Sequence, residues 1–126
     1  MPWESRARVH MRQEQGALVV VASGEFDADE RDLLPPVWDE ADERALPVTA
    51  LDLSAVTFAD SSLLDALLRA SRRHVAARRR LVIIGPLPPS VLQLLTVTRV
   101  LEHFEIVDSL TAALGRGTQP GDTTVN

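Results

Sequence analysis

Cysteine is absent from the 126 residues, and so are lysine and tyrosine. Without cysteine there are no disulfides, no thiolate metal sites and no cysteine nucleophile. Without lysine, Schiff-base chemistry, the Walker A phosphate loop and a lysine general base are excluded. Aromatic residues make up 4% of the chain, namely Trp3, Phe26, Trp38, Phe58 and Phe104, too few to build stacking platforms for bases. Long apolar runs are missing as well. Ala17 to Ala22 and Leu81 to Ile84 are the longest read here, far short of the roughly 18–20 residues of a membrane span. Residues 1–12 hold Trp3, Glu4 and three arginines with no apolar stretch directly behind them, which is not the pattern of a secretory leader. A soluble cytoplasmic protein, not inserted in a membrane, is expected.

What is present is ordinary for a globular domain: 45% hydrophobic and 25% charged residues, in a length that fits one core. That core is built from Leu, Val, Ala and Ile. The 18 acidic residues outnumber 13 basic ones, all arginine, for a net charge of -5, which weighs against direct nucleic-acid binding. One domain is expected over residues 8–114, followed by a disordered tail over 115–126 rich in Gly, Thr, Asp and Pro.

Arg8 to Arg12 alternates and leads through Gln13-Glu14-Gln15-Gly16 into the apolar run from Ala17, so a β-hairpin is predicted. Gly24-Glu25-Phe26-Asp27 is read as the stop of its second strand. Nine of the 18 acidic residues then fall between Glu25 and Glu43. There Pro35-Pro36 opens a short helix carrying Val37, Trp38, Ala41 and Ala45, broken by Pro47. Val48 to Leu53 reads as a buried strand. Ser61 to Arg80 reads as an amphipathic helix with Leu64, Leu67, Leu68, Ser71 and Val75 on the apolar stripe. Leu81 to Ile84 suits a strand buried on both faces. Pro88-Pro89 opens a third helix with Val91, Leu94, Leu95 and Val97. Glu105 to Val107 forms a last strand, and Asp108-Ser109 caps a final helix through Leu114. The order predicts an α/β fold. An antiparallel N-terminal hairpin feeds a mixed sheet whose later strands are parallel and flanked by about four helices. Ligands and partners of such sheets gather at the carboxyl ends of the strands.

At that end stands Leu51-Asp52-Leu53-Ser54-Ala55-Val56-Thr57-Phe58-Ala59-Asp60-Ser61-Ser62-Leu63-Leu64, read as strand, short loop and helix. Read structurally, Asp60 or Ser61 caps the helix by accepting a hydrogen bond from an orphan backbone N–H. The stretch also resembles the signature D-L-S-x-V-x-F-x-D-S-S-G-L of STAS domains of the anti-anti-sigma factor type. Gly24-Glu25-Phe26-Asp27 is similar to the family's G-E-L/I-D, and the resemblance runs on to residue 114. It implies that Ser61, or alternatively Ser62, is phosphorylated by a partner that is both anti-sigma factor and serine kinase. A PP2C-type phosphatase reverses the modification. Asp27, Asp60, Ser61, Ser62, Leu63 and Leu64 are then the expected partner-binding residues. The implied protein is a switch and a substrate, not an enzyme, and needs no cofactor. A constitutive STAS interaction subunit of a signalling or transport assembly is the alternative. Nothing in the sequence indicates a homo-oligomer.

A phosphate at a helix N-terminus meets unpaired N–H groups and adds about -1.5 to -2 of charge. Asp60 and Asp65 on the helix, with Glu25 and Asp27 at the strand ends, are expected to give it acidic surroundings. Leu63 stands where the signature has glycine. It is placed at the edge of the buried face, either extending the core or reshaping the docking surface.

Other constellations are weaker. Asp27-Ala28-Asp29 lacks the Thr or Val and the lysine of a phosphotransferase. It also lacks the glycine a calcium loop requires near its sixth position. His10, His74 and His103 share no metal-ligand spacing, so no metal site is expected, and His74 is placed at a boundary or surface. No G-x-S-x-G elbow surrounds Ser61. Six of the 13 arginines lie between Arg69 and Arg80, a solvated face or a surface for an acidic partner.

Overall fold

The structure, a computed structural model, describes residues 6–118. Its strands are β1 (Ala7–Glu14), β2 (Ala17–Phe26), β3 (Val48–Ala59), β4 (Arg80–Ile84) and β5 (Glu105–Val107). Its helices are α1 (Pro35–Arg44), α2 (Ser61–Ala77), α3 (Pro89–Val97) and α4 (Leu110–Thr118), with 3-10 turns at Ala28–Glu30 and Leu101–His103. The five strands lie side by side in chain order. β1 is antiparallel to β2, and every later neighbour is parallel. This is the mixed, helix-flanked sheet that the element order predicts.

Alternation along the strands divides the apolar residues between two faces. Leu18, Val20 and Ala22 of β2, Leu51 and Leu53 of β3, and Ile83 of β4 share one core with Trp38 of α1, Leu67 of α2 and Leu95 of α3. Ala17, Val48, Ala50, Val82, Ile84 and Val107 point the other way and pack on Ala113 and Leu114 of α4. β4 therefore reads as a bare apolar run because both of its sides are covered. Each fully buried Leu, Ile or Val side chain contributes about 1.5–3 kcal/mol through removal from water.

Several boundaries differ from the sequence reading. Pairing in the hairpin continues to Glu14 opposite Ala17, so the turn is only Gln15-Gly16. Both have positive φ, 50° and 79°, as a two-residue turn matching the strand twist requires. Gly24-Glu25-Phe26 does not stop β2 but continues it. Gly24 has φ +92°, and a Cβ there would stand 2.1 Å from the Arg6 carbonyl oxygen, so glycine is needed where β1 begins beside an irregular β2. The expected loop over Ser54–Ala59 is strand, aligned on β2 as far as Phe26 opposite Ala59.

α2 ends at Ala77 rather than Arg80. Arg78 takes a left-handed conformation, φ 57°, and the Arg80 amide already donates to the Pro47 carbonyl at 2.8 Å, where β4 starts. The buried face of α2 is Leu63, Ala66, Leu67, Ala70 and His74, one position earlier than predicted. Val75, assigned to the apolar stripe, is 74% exposed. Small Ala66 and Ala70 face the core, leaving Leu64, Leu68 and Ser71 half-buried at its margin. Val97 of α3 and Ala45 at the end of α1 are likewise exposed. α4 runs past Leu114 to Thr118. The rest of the tail expected to be disordered lies outside the described residues. Among the described residues no helix is long and apolar enough to cross a membrane.

Candidate functional site

The junction of β3 and α2 is built by one aspartate. Asp60 stays extended (φ -125°, ψ -165°), and its amide donates to the Phe26 carbonyl at 3.2 Å, tying the junction to the end of β2. Its Oδ1 accepts from the Ser62 amide at 2.8 Å, while its carbonyl oxygen accepts from Leu63 N at 3.0 Å and Leu64 N at 3.4 Å. Asp60, not Ser61, is therefore the cap, satisfying a donor that the first helical turn would otherwise leave unpaired. Ser61 is the first helical residue and exposed, and Ser62 is half-buried.

Ser61, Ser62, Asp65, Ala66 and Arg69 of α2 line a cleft of about 310 Å³ together with Arg31, Asp32 and Pro35 from the approach to α1. Its charged lining is two arginines and two carboxylates. Arg69 pairs with Asp65 at 3.0 Å with both side chains 60% exposed, whereas Arg31 has no ion pair among the described residues. The expectation of purely acidic surroundings for Ser61 thus needs correction. Glu25 and Asp27 are turned to Arg6, which pairs with Glu25 at 3.1 Å and with Asp27. Asp27 Oδ1 also accepts from the Asp29 amide at 2.9 Å and caps the first 3-10 turn. Asp27, Asp29 and Glu30 bring carboxylate oxygens within 4.8 Å of one another, but the Arg6 guanidinium reaches both aspartates of the group and supplies its countercharge. The sequence signal for Arg69 was its position eight residues after Ser61, two turns along the same face. For Arg31, hidden in the acidic stretch, there was none.

Leu63 lies in the core, 1% exposed, and not at the edge of the buried face. Its side chain fills the space under the helix start and is not presented to a partner, while Leu64 is half-buried at the core margin. The apolar surface beside the junction comes from residues the sequence reading did not single out for it. Phe58, 46% exposed, shares a groove of about 320 Å³ with Ala59, Leu94 and Val97. α2 packs against both α1 and α3. The charged cleft lies between α2 and the start of α1, and the apolar groove lies between the end of β3 and α3.

Much of the arginine-rich stretch is engaged within the chain. Arg73 bonds Asp39 at 2.9 Å and Asp42 through Nε at 2.9 Å, Arg79 bonds Asp42, and Arg80 bonds Glu105 at 2.8 Å and the Ala113 carbonyl at 2.9 Å. Burial pushes the Asp42 carboxyl up, but the Arg73 hydrogen bond and the charges of Arg73 and Arg79 outweigh it and hold the group below the usual carboxylate range. Hydrogen bonds from Asp42 and Asp39 raise Arg73. For Arg73 and Arg79, the acidic partner is α1 of the same chain.

His74 is buried, contrary to its expected boundary position. Its Nδ1 lies 2.7 Å from the Ala70 carbonyl and its Nε2 2.7 Å from Thr49 Oγ1. A carbonyl can only accept, so Nδ1 carries the proton and Nε2 accepts from the threonine hydroxyl. Burial lowers the imidazole pKa, the Arg79 and Arg73 charges lower it further, and the Ala70 carbonyl opposes them.

The same architecture recurs in solved structures of low sequence identity. An anti-sigma factor antagonist from Mycobacterium paratuberculosis superimposes with TM-score 0.79 at 21% identity, over 90% of this chain and 95% of that one. A serine-to-glutamate variant of RsbS from Moorella thermoacetica gives 0.74 at 18%, over 87% and 94%. The phosphorylated form of the Bacillus cell fate determinant SpoIIAA gives 0.67 at 16%, over 86% and 98%. No curated protein sequence matches the chain. Residues 9–114 match the sequence model of the family described as Mlab, STAS domain, and the chain, with the fold that anti-sigma factor antagonists share, belongs to the STAS family.

Proposed function

We propose that this chain is a cytoplasmic anti-sigma factor antagonist that works by partner switching. It binds an anti-sigma factor with serine-kinase activity while Ser61 is unmodified and is released once Ser61 is phosphorylated, so regulating transcription. The observation that carries the reading is Ser61 itself, an exposed hydroxyl on the first residue of a helix whose cap is made by its neighbour. A kinase can reach it without unfolding α2. The phosphoryl group passes from ATP to Ser61 Oγ, the bond to the ADP leaving group breaks, and the hydroxyl proton goes to a base on the kinase. A PP2C-type phosphatase returns the hydroxyl. Catalysis thus belongs to the partners.

The docking surface is centred on Ser61 and Ser62, with Asp60 setting their positions and Leu64 at the margin. Leu63 supports it from beneath, and Asp27 stands at the adjoining strand end. Moving a partner from mostly bound to mostly free takes about 5 kcal/mol of differential binding. A dianion set into a desolvated interface can supply that through repulsion and desolvation. The test is binding to the anti-sigma kinase. Ser61→Asp is expected to lose the complex and Ser61→Ala to keep it.

A constitutive interaction subunit is the second reading. It is favoured by the fold shared with a chain of the stressosome, described as a signal integration and transduction hub. In that case neither substitution changes binding.

A further inference from the structure

We infer that a phosphate on Ser61 is received within the chain, by the guanidinium groups of Arg31 and Arg69 across the cleft they share with Ser61. The inference rests on reading Ser61 as the modified residue and goes beyond it in saying where the phosphate goes.

Arg31, Arg69 and Ser61 line one cleft, although Arg31 lies thirty positions before Ser61 in the chain. Among the described residues Arg31 has no ion pair to occupy its fork of donors. Among the described residues Arg69 is held only by Asp65, in a bridge exposed on both sides, and such a bridge is weak. A phosphate dianion offers more charge and more acceptor oxygens than that carboxylate, in a geometry a guanidinium matches with two parallel hydrogen bonds. Exposed arginines would hold a free anion loosely. A phosphate bonded to Ser61 is instead presented to them at the high effective concentration of a short tether.

The opposing charges are Asp60 at the cap of α2, Asp65 on α2 and Asp32 beside Arg31. Asp60 is engaged with the Ser62 amide, and at the end of β2 Glu25 and Asp27 are engaged with Arg6. The surface change on modification is then larger than one added phosphate. It includes two arginines drawn inward and Asp65 released.

The test needs no kinase, which separates it from the partner-switching reading. Phosphoserine is incorporated at position 61 during synthesis of the full chain, and the second ionisation of the phosphate is followed by 31P NMR from pH 4 to 8. Cations near the phosphate favour its dianion. The midpoint is expected below that of the urea-unfolded protein by about 0.5–1 unit. Arg31→Gln with Arg69→Gln should remove most of that depression, whereas Arg31→Lys, which keeps the charge without the fork, should fall between. Both arginines are exposed, and an unchanged urea midpoint of the unphosphorylated variants shows that they remain folded. A 31P titration unaltered by the double substitution overturns the inference, whether or not an anti-sigma kinase binds the unmodified protein.

Discussion

Asp60 Oδ1 accepts the Ser62 amide at 2.8 Å, and this contact makes Ser61, between them, the outward-facing first residue of α2. Replacing Asp60 with alanine should cost about 1 kcal/mol of stability, the usual value of such a cap, read as a lower urea midpoint. Asp60→Asn should retain nearly all of it, because the amide oxygen accepts the same hydrogen bond. If alanine and asparagine are equally harmful, the carboxylate charge matters more than the cap.

His74 makes stability depend on pH with a defined sign. Its folded pKa is lowered relative to 6.5, so below about pH 6.5 the unfolded chain binds a proton that the folded chain refuses. Stability should therefore fall as pH drops through the unfolded value toward the folded one, with a slope of at most about 1.4 kcal/mol per pH unit for one proton. His74→Gln should flatten that part of the urea-midpoint profile. Thr49→Val, which leaves Nε2 buried without its donor, should cost about 1–3 kcal/mol.

Gly24 combines φ +92° with a carbonyl oxygen 2.1 Å from where a Cβ would stand. Gly24→Ala must move the start of β1 or distort β2, and an expected loss of about 2 kcal/mol or more follows from strain at a special backbone position. At Gly16 a Cβ would meet nothing within 4 Å, so Gly16→Ala carries only the backbone penalty. The two unfolding midpoints should differ clearly.

Leu63 distinguishes a core role from a docking role. Leu63→Ala should destabilise by about 2–5 kcal/mol, as for other buried leucines. Leu63→Gly, which restores the family signature, should cost about 1 kcal/mol more because of glycine in a helix. Partner affinity of the fraction that stays folded should change little.

How legible each part was follows from where its information lies. Val82, Ile83 and Ile84 announce a strand covered on both faces because every residue there is apolar, and β5 and α3 were equally local. Ser54 to Ala59 reads as a loop in sequence because Ser54, Ala55, Thr57 and Phe58, all exposed, carry no continuous apolar pattern. Pairing with β2, a long-range fact, makes it strand. The face of α2 is misplaced by one residue in sequence because Leu64, Leu68 and Val75 outweigh Ala66 and Ala70 in apolar bulk, yet it is the alanines that face the core. At the site, capping chemistry pointed to Asp60 or Ser61 as the helix cap, which is Asp60, while Ser61 as the modified residue followed only from the family resemblance. The arginine cleft was not legible, because Arg31 and Ser61 come to line one cleft only once α1 and α2 pack together.

The most direct measurement of the central claim is capture of the full chain's partners from its native lysate with ATP present, followed by fragment mass spectrometry of the tryptic peptide 45–69. Switching predicts recovery of an anti-sigma factor kinase and phosphate on Ser61, with Ser62 unmodified. A stable assembly without such a kinase, in which Ser61 stays unmodified, contradicts it.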